Sequence, residues 1–227
     1  MRHSATRAML ESRDVIVVSS VSSIYGIGSP DEYAGMRFIL HVGDKISVSD
    51  AAHSLGDIQY KRNDVAPARG DFRIRGDTLD VFPAHMADRA WKVSFFGDEV
   101  EAIWEFDTLT GAKLSSMDRI AVYPNSHYAT TREKMDRAVH TIEEELKERV
   151  EFFKNENKLI EAQRIEERTR FDVEMMRETG FCSGIENYSM HLIGKKPGEP
   201  PYTLIDYFPD DFLMIIDESH MTIPQIG

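Results

Sequence analysis

The sequence predicts an α/β fold that carries an inserted β-rich domain and a charged helical region. Two short apolar runs, at 15–18 and 212–216, are each followed by polar residues, as in strands that are buried on both faces of a sheet. Between these runs the apolar residues first alternate with polar ones and then recur at helical spacing. We therefore expect four blocks, of which the first and the last belong to one α/β unit.

The first block, residues 1–33, has the order helix, strand, loop, helix. We expect a helix at 2–12, then the first apolar run as a strand, and then a Ser/Gly-rich loop at 19–28. A second helix should begin after Ser29, because Ser29 suits the N-cap and Pro30 suits the first helical position. This order of elements is typical of α/β folds.

The second block, residues 34–126, predicts antiparallel strands with one polar face. Apolar and polar residues alternate at 72–75, at 91–95 and at 99–106, and Gly-Asp pairs between these stretches suit tight turns. In the third stretch the alternation places four apolar side chains on one face: Val100, Ala102, Trp104 and Phe106. A short helix near 50–55 should pack on the sheet.

The third block, residues 127–203, predicts two charged helices in a hairpin. The first helix should begin at Thr130 or the threonine after it, since Thr130 and Glu133 have the spacing of a capping box. Apolar residues then recur at helical spacing: Met135, Val139, Ile142, Leu146 and Val150. A break near 155–157 precedes the second helix, which should end before Gly180. The charge run predicts a solvated face more simply than a binding surface.

The fourth block, residues 204–227, returns to the α/β unit and follows its second strand with Asp217 and Glu218. Ligands of open α/β sheets bind at the carboxyl ends of strands. Asp217 is therefore a candidate to hold a nucleotide-bound Mg²⁺ through water, and Glu218 to orient or deprotonate an attacking water. The alternative is a polar strand end without a ligand. The sequence has no Gly-x-x-x-x-Gly-Lys-Ser/Thr loop for phosphates, so we expect no ATP hydrolysis by this chain alone.

The composition excludes several classes of protein. A net charge of −12 over 227 residues disfavours nucleic-acid binding by bulk electrostatics, so that any DNA affinity has to be local. We find neither an apolar run of transmembrane length nor a signal peptide, and expect a cytoplasmic protein without membrane contact. The single cysteine, Cys182, fits a reducing compartment and predicts a small core residue. No spacing of a zinc site occurs.

A local basic cluster lies in the second block. Residues 61–75 contain five bases against two acids, and Arg73 and Arg75 share one strand face with Arg62 and Arg69 near them in sequence. Guanidinium groups suit carboxylates and phosphates. The cluster therefore predicts a docking surface for an acidic protein or for nucleic acid. The alternatives are solubility and pairing with the chain's own acids: Asp71, Asp77 and Asp80.

A Gly-bounded loop at 180–189 is rich in hydrogen-bonding groups, and loops of this kind often carry function. Tyr188 could stack on a nucleotide base. A structural loop anchored by Phe181 and Ile185 explains the same composition.

Long runs of the chain, in matching order, resemble the UvrB family of bacterial excinuclease subunits. The most specific runs are Asp57-Ile58-Gln59-Tyr60, Phe72-Arg73-Ile74-Arg75-Gly76-Asp77, Phe95-Phe96-Gly97-Asp98-Glu99, Glu174-Met175-Met176-Arg177-Glu178, Tyr207-Phe208-Pro209-Asp210-Asp211-Phe212 and Asp217-Glu218-Ser219-His220. The resemblance implies an incomplete superfamily 2 helicase-like P-loop motor domain that contains residues 1–33 and 204–227. It also implies a UvrA-interaction domain at 34–126 and a helical domain at 127–203.

The resemblance further implies a role in nucleotide excision repair, with UvrA, damaged double-stranded DNA and UvrC as partners and with ATP and Mg²⁺ as cofactors. Asp217 and Glu218 look like helicase motif II. The residues expected to bind UvrA are Arg62, Arg73, Arg75 and Lys92. The DNA-path candidates are Arg170, Glu186 and Tyr188. Lys92 stands where the family often has arginine and Ser94 where it often has glutamate, so contacts made by those groups are in doubt.

The family's phosphate loop, DNA-clamping hairpin, second motor domain and UvrC-binding tail have no counterpart in the sequence. We therefore expect a piece of a longer protein that does not bind ATP tightly by itself. Two alternatives stay open: the UvrA-binding module of a transcription–repair coupling factor, and an intact ATPase.

Overall fold

A computed structural model describes residues 2–21 and 26–225. Its α-helices are α1 Arg2–Glu11, α2 Pro30–Gly35, α3 Val48–Asp57, α4 Arg132–Asn155, α5 Leu159–Thr179, α6 Ser189–Ile193 and α7 Ser219–Thr222. Its strands are β1 Phe38–His41, β2 Lys61–Arg62, β3 Asp71–Arg75, β4 Thr78–Phe82, β5 Arg89–Phe96, β6 Glu99–Asp107, β7 Lys113–Met117 and β8 Arg119–Val122. Short 3₁₀-helices cover Ile185–Tyr188, Leu204–Tyr207 and Ile223–Gln225. None of the helices in the described ranges is long and apolar enough to cross a membrane.

The β-rich block forms a six-stranded sheet in the order β2-β3-β4-β5-β6-β7. Neighbouring strands are antiparallel except for the pair β2–β3, while β1 and β8 form a separate antiparallel pair. One face of the large sheet packs against α3, and the side chains of Leu79, Val93 and Leu55 are fully buried between them. The predicted antiparallel strands and the predicted short helix are confirmed. We call the opposite side of the sheet the outer face.

Strand β6 differs from the prediction because it contains a bulge. Its register with β5 passes from Ser94 opposite Ala102 to Phe95 opposite Val100. One extra residue reverses the direction of the side chains that follow it. Val100 therefore packs in the core beside α3, whereas Trp104 and Phe106 lie on the outer face with Phe82 and Ala90. The prediction of a single face for Val100, Ala102, Trp104 and Phe106 is wrong.

Helices α4 and α5 form the predicted hairpin. Apolar side chains of both helices pack together with Cys182, which is buried, and burial raises the pKa of its thiol to about 11. The hairpin turns at Asn157, whose φ of 57° lies in the left-handed region. Gly180 is the C-cap of α5, with a φ of 69°, and confirms the predicted end of this helix. The predicted capping box does not form, because α4 begins one residue later. Thr131 is its N-cap and makes no side-chain cap bond.

The two apolar runs that predicted buried strands do not form strands. Within the described residues no segment pairs with either of them, and a strand needs a hydrogen-bonded neighbour. Ile16 is 94% exposed and Leu213 is 86% exposed. The predicted α/β sheet is therefore absent from the described residues. Part of the loop predicted at 19–28 lies outside them.

A third hydrophobic cluster joins α1 to the segment around Tyr207. Within it the imidazole of His3 stacks on that of His127 at 4.2 Å between ring centroids, and Tyr33 stacks on His127 at 4.8 Å. Gly28 fits here because a Cβ atom at that position would lie 1.6 Å from the backbone oxygen of His127. The hydroxyl of Tyr207 donates to the backbone oxygen of Gly28 at 3.0 Å. We call this cluster the aromatic junction.

Candidate functional site

Three charged side chains lie side by side on the outer face of the sheet. Strand pairing sets Arg73 of β3 opposite Asp80 of β4, and Asp80 opposite Lys92 of β5. Residues that are directly opposite on adjacent antiparallel strands interact across the pair. The order cation, anion, cation therefore follows from the sheet register. We call these three residues the charged triad.

Asp80 is the buried centre of the charged triad. Its side chain is 1% exposed, against 17% for Arg73 and 30% for Lys92. The Arg73 Nε donates to Asp80 Oδ2 at 2.7 Å. Lys92 Nζ lies 3.5 Å from Asp80 Oδ1, which has no hydrogen-bond partner, so the lysine contributes attraction rather than a well-formed hydrogen bond. A buried carboxylate needs such partners, since an unpaired buried charge is costly.

Aromatic rings support the cations of the outer face. The guanidinium carbon of Arg73 is 5.6 Å from the ring centroid of Phe82, and Lys92 Nζ is 5.4 Å from that of Phe106. The two rings meet edge to face at 6.1 Å between centroids. These distances are within the range of cation–π contacts. Both cations are thus held by Asp80 and by an aromatic ring.

The other two predicted partner-binding residues have different surroundings. Arg75 lies exposed at the end of β3. Arg62 is exposed and pairs with Asp64, with 2.9 Å between Nε and Oδ2. A hydrogen bond from the backbone N–H of Ile74, followed by the effect of Arg62, lowers the pKa of Asp64. Arg62 and Arg75 are therefore available at the surface, while Arg73 is largely committed to Asp80.

The sequence-based reasoning left open whether Arg73 meets a partner's acid or an acid of its own chain. The structure pairs it with Asp80, which was one of three acids considered. The supporting rings of Phe82 and Phe106 were missed. Strand pairing would have revealed them, since Phe106 lies opposite Ala90, two residues before Lys92 on β5.

Of the three DNA-path candidates, Glu186 and Tyr188 share the 3₁₀-helix Ile185–Tyr188, while Arg170 lies on α5. The hydroxyl of Tyr188 donates to Asp172 Oδ2 at 2.8 Å, and burial, followed by that hydrogen bond, raises the Tyr188 pKa to about 12. Arg170 is exposed and pairs with Glu166 at 2.8 Å. Glu186 is exposed on its 3₁₀-helix. Tyr188 is tied to α5, so stacking on a base would require this bond to break.

In the structure, the candidate magnesium ligands Asp217 and Glu218 contact groups that are close to them in sequence. Asp217 Oδ1 accepts a hydrogen bond from the backbone N–H of Glu218, and Glu218 lies 3.4 Å from His220 Nδ1. Both carboxylates are exposed, and neither follows a strand. In the described part of the chain no group of three or more His, Cys, Asp or Glu side chains could hold a metal ion.

The comparisons with known proteins agree along the whole chain. Residues 38–128 match the family model described as the UvrB interaction domain, and residues 133–194 match the UvrB third helical domain. The chain is 60% identical over 227 residues to the protein named UvrABC system protein B of Agathobacter rectalis. It is 56% identical over 226 residues to that of Carboxydothermus hydrogenoformans and 54% to that of Bacillus subtilis. The chain spans 34% of the length of each of these relatives.

Proposed function

The chain belongs to the UvrB family, and we propose that the outer face of its six-stranded sheet binds UvrA in nucleotide excision repair. The sheet lies within the range that matches the UvrB interaction domain. The observation that supports this proposal most strongly is the charged triad, in which a buried carboxylate fixes two half-buried cations on the outer face. A family match at 133–194 favours this reading over a module of a transcription–repair coupling factor.

Surface exposure determines which substitutions test UvrA binding cleanly. Replacing Arg73 by glutamate would set two carboxylates together at a buried position and would destabilise the sheet. Arg75, which follows Arg73 on the outer face, and Arg62, on the edge strand β2, are exposed instead, and their replacement leaves the charged triad intact. The double variant Arg62→Glu with Arg75→Glu is therefore the better choice.

We expect the Arg62→Glu/Arg75→Glu chain to bind purified UvrA at least about tenfold more weakly than the parent chain, because charge reversal at an interface replaces attraction by repulsion. Isothermal titration calorimetry measures the affinity, and the urea midpoint should not change. Arg119→Glu with Arg132→Glu, at two exposed arginines of β8 and α4, changes the net charge by the same amount and serves as the control. Equal affinities of the double variant and the parent would refute the proposed surface.

We further propose, from the family resemblance, that damaged DNA passes near Arg170, Glu186 and Tyr188 and that UvrC, ATP and Mg²⁺ act with the longer UvrB proteins. Asp217 and Glu218 would then belong to motif II of a helicase-like motor. In the structure both carboxylates are exposed, and among the described residues they do not belong to a group of three or more side chains that could hold a metal ion. UvrA binding is therefore the function that the geometry supports best.

A further inference from the structure

A groove of about 450 Å³ lies beside the charged triad on the outer face. Its floor is formed by the rings of Phe82 and Phe106, and Arg73 lines one side. The loop around Arg69 and the turn around Leu109 form the two walls. This volume suits one or two side chains of a bound protein segment.

Both walls of the groove are fixed by hydrogen bonds that backbone N–H groups donate to side-chain carboxylates. On one wall Asp71 Oδ2 accepts from the backbone N–H of Ala68 at 2.9 Å. On the other, Asp107 Oδ1 accepts from the N–H groups of Leu109 at 3.0 Å and Thr110 at 2.7 Å. Two hydrogen bonds from Thr110 lower the pKa of Asp107: the larger effect comes from the backbone N–H and the smaller from the hydroxyl. They favour the charged carboxylate, which is the form that accepts these bonds. The groove is therefore formed before any partner binds, which reduces the entropic cost of binding.

The groove is basic in a chain that carries a net charge of −12. Its lining contains three guanidinium groups, of Arg69, Arg73 and Arg89, and the carboxylate of Asp88. Arg73 is paired with Asp80, and Arg89 NH1 lies 3.4 Å from a carboxylate oxygen of Glu105. The exposed Arg69 has no ion pair with any residue that the structure describes. Arg69 therefore offers an unpaired guanidinium at the entrance.

An exposed apolar side chain stands at the rim of the groove. Leu109 is 92% exposed, although the hydrogen bonds of Asp107 hold its backbone in a defined turn. Leu109 lines the groove together with the phenylalanine floor and Arg69, so apolar and basic groups face the same space. Such a surface matches a protein segment that carries both apolar and negatively charged side chains. It matches nucleic acid less well, because the phenylalanine rings of the floor offer no hydrogen-bond donor to a phosphate group.

We propose that this groove receives an acidic segment of the UvrA partner, in which one apolar side chain enters above Phe82 and Phe106 while a neighbouring carboxylate pairs with Arg69. The proposal rests on UvrA binding by the outer face and adds the chemistry of the contact. Arg69 and the groove floor are then determinants of specificity that act beside the charged triad. Charge complementarity selects the acidic segment, and the apolar floor fixes its position.

Two variants test the groove with purified UvrA and the full chain. Ala87→Trp fills the groove from its exposed rim without a change of charge, and Arg69→Glu reverses the unpaired guanidinium. We expect each to weaken binding about tenfold or more in isothermal titration calorimetry. The matched controls are Ser49→Trp, at an exposed serine of α3 on the other side of the sheet, and Arg119→Glu, and both should bind within about twofold of the parent. Urea unfolding verifies that all four variants fold.

The outcomes separate the groove from the proposed function. If the parent chain binds UvrA and both groove variants bind equally well, the groove proposal is wrong and the outer face stands. If the parent chain does not bind UvrA, the proposed function itself fails. A photocrosslinking residue at Ala87 identifies the occupant directly: we expect a UvrA peptide with Asp or Glu beside an apolar residue. Capture of DNA, or of a peptide without acidic residues, would overturn the proposal.

Discussion

Asp80 stands at the centre of the charged triad. Its side chain is almost completely buried, yet it pairs with two cations. Each of these cations in turn contacts an aromatic ring. From the sequence alone, Asp71, Asp77 and Asp80 were equally possible partners for the arginines of the basic cluster. Only the strand register does so, because it sets Asp80 between Arg73 and Lys92.

We expect Asp80→Asn to lower the free energy of unfolding by about 2 kcal/mol at pH 7, since the two cations lose their buried partner and repel each other. The loss is below that for a fully buried pair because Arg73 and Lys92 can turn toward water. Urea unfolding measures it. Asp77→Asn is the matched control, an exposed carboxylate in the adjoining turn. A similar loss in both variants would show that the buried position of Asp80 is unimportant.

Among the secondary-structure elements, helical spacing and alternation predicted α1, α3, α4 and α5 and the faces of β3 and β5 that pack toward α3, but they did not predict α6 or α7. They failed for 15–18 and 212–216, because periodicity reports burial on a face and says nothing about whether a pairing strand is present. The bulge in β6 was also invisible, since one extra residue leaves the composition unchanged while it reverses the faces that follow.

Helix α1 is attached through groups that titrate. His3 and His127 stack, and Thr6 Oγ1 lies 3.1 Å from His127 Nε2. Burial, followed by nearby positive charge, lowers the pKa of His3 to about 4 and that of His127 to about 3, from an ordinary 6.5. The unfolded chain therefore binds protons below pH 6.5 that the folded chain does not bind. Stability should fall as the pH drops from 6.5 toward 4, and the contribution of these histidines should be constant above that range.

We expect this effect to be at most about 2 kcal/mol per histidine between pH 6.5 and pH 5. The variant His127→Gln should lose less stability than the parent over that interval, because it removes one of the titrating groups. Urea unfolding at both pH values measures the difference. His53→Gln, at an exposed histidine of α3, should behave like the parent. An identical pH dependence of the His127→Gln chain and the parent would contradict the assignment.

In the molecule as a whole, the apolar runs at 15–18 and 212–216 leave large apolar side chains exposed. Ile16, Val18, Leu213 and Ile215 are all largely exposed, and exposed apolar patches promote association. The apolar composition of these runs predicted burial, and it could not indicate that these four side chains are exposed.

We expect the chain to self-associate at concentrations of about 10–100 µM, a range typical of weak contacts. Ile16→Thr with Leu213→Ser and Ile215→Ser should shift it toward the monomer in sedimentation velocity experiments without a change in the urea midpoint. Val65→Thr, at an exposed but isolated valine, is the control. Equal association of the triple variant and the parent would exclude these segments as the cause.

The aromatic junction has a mechanical consequence. Helix α1 and the 3₁₀-helix Leu204–Tyr207 meet there. In the chain, the sheet and the helical hairpin both lie between these two helices. A pulling force applied between Arg2 and Phe208 would load the junction first and reach the sheet only after the junction had ruptured. In an optical trap such a molecule would first lengthen by a small step, and the two larger extensions would follow.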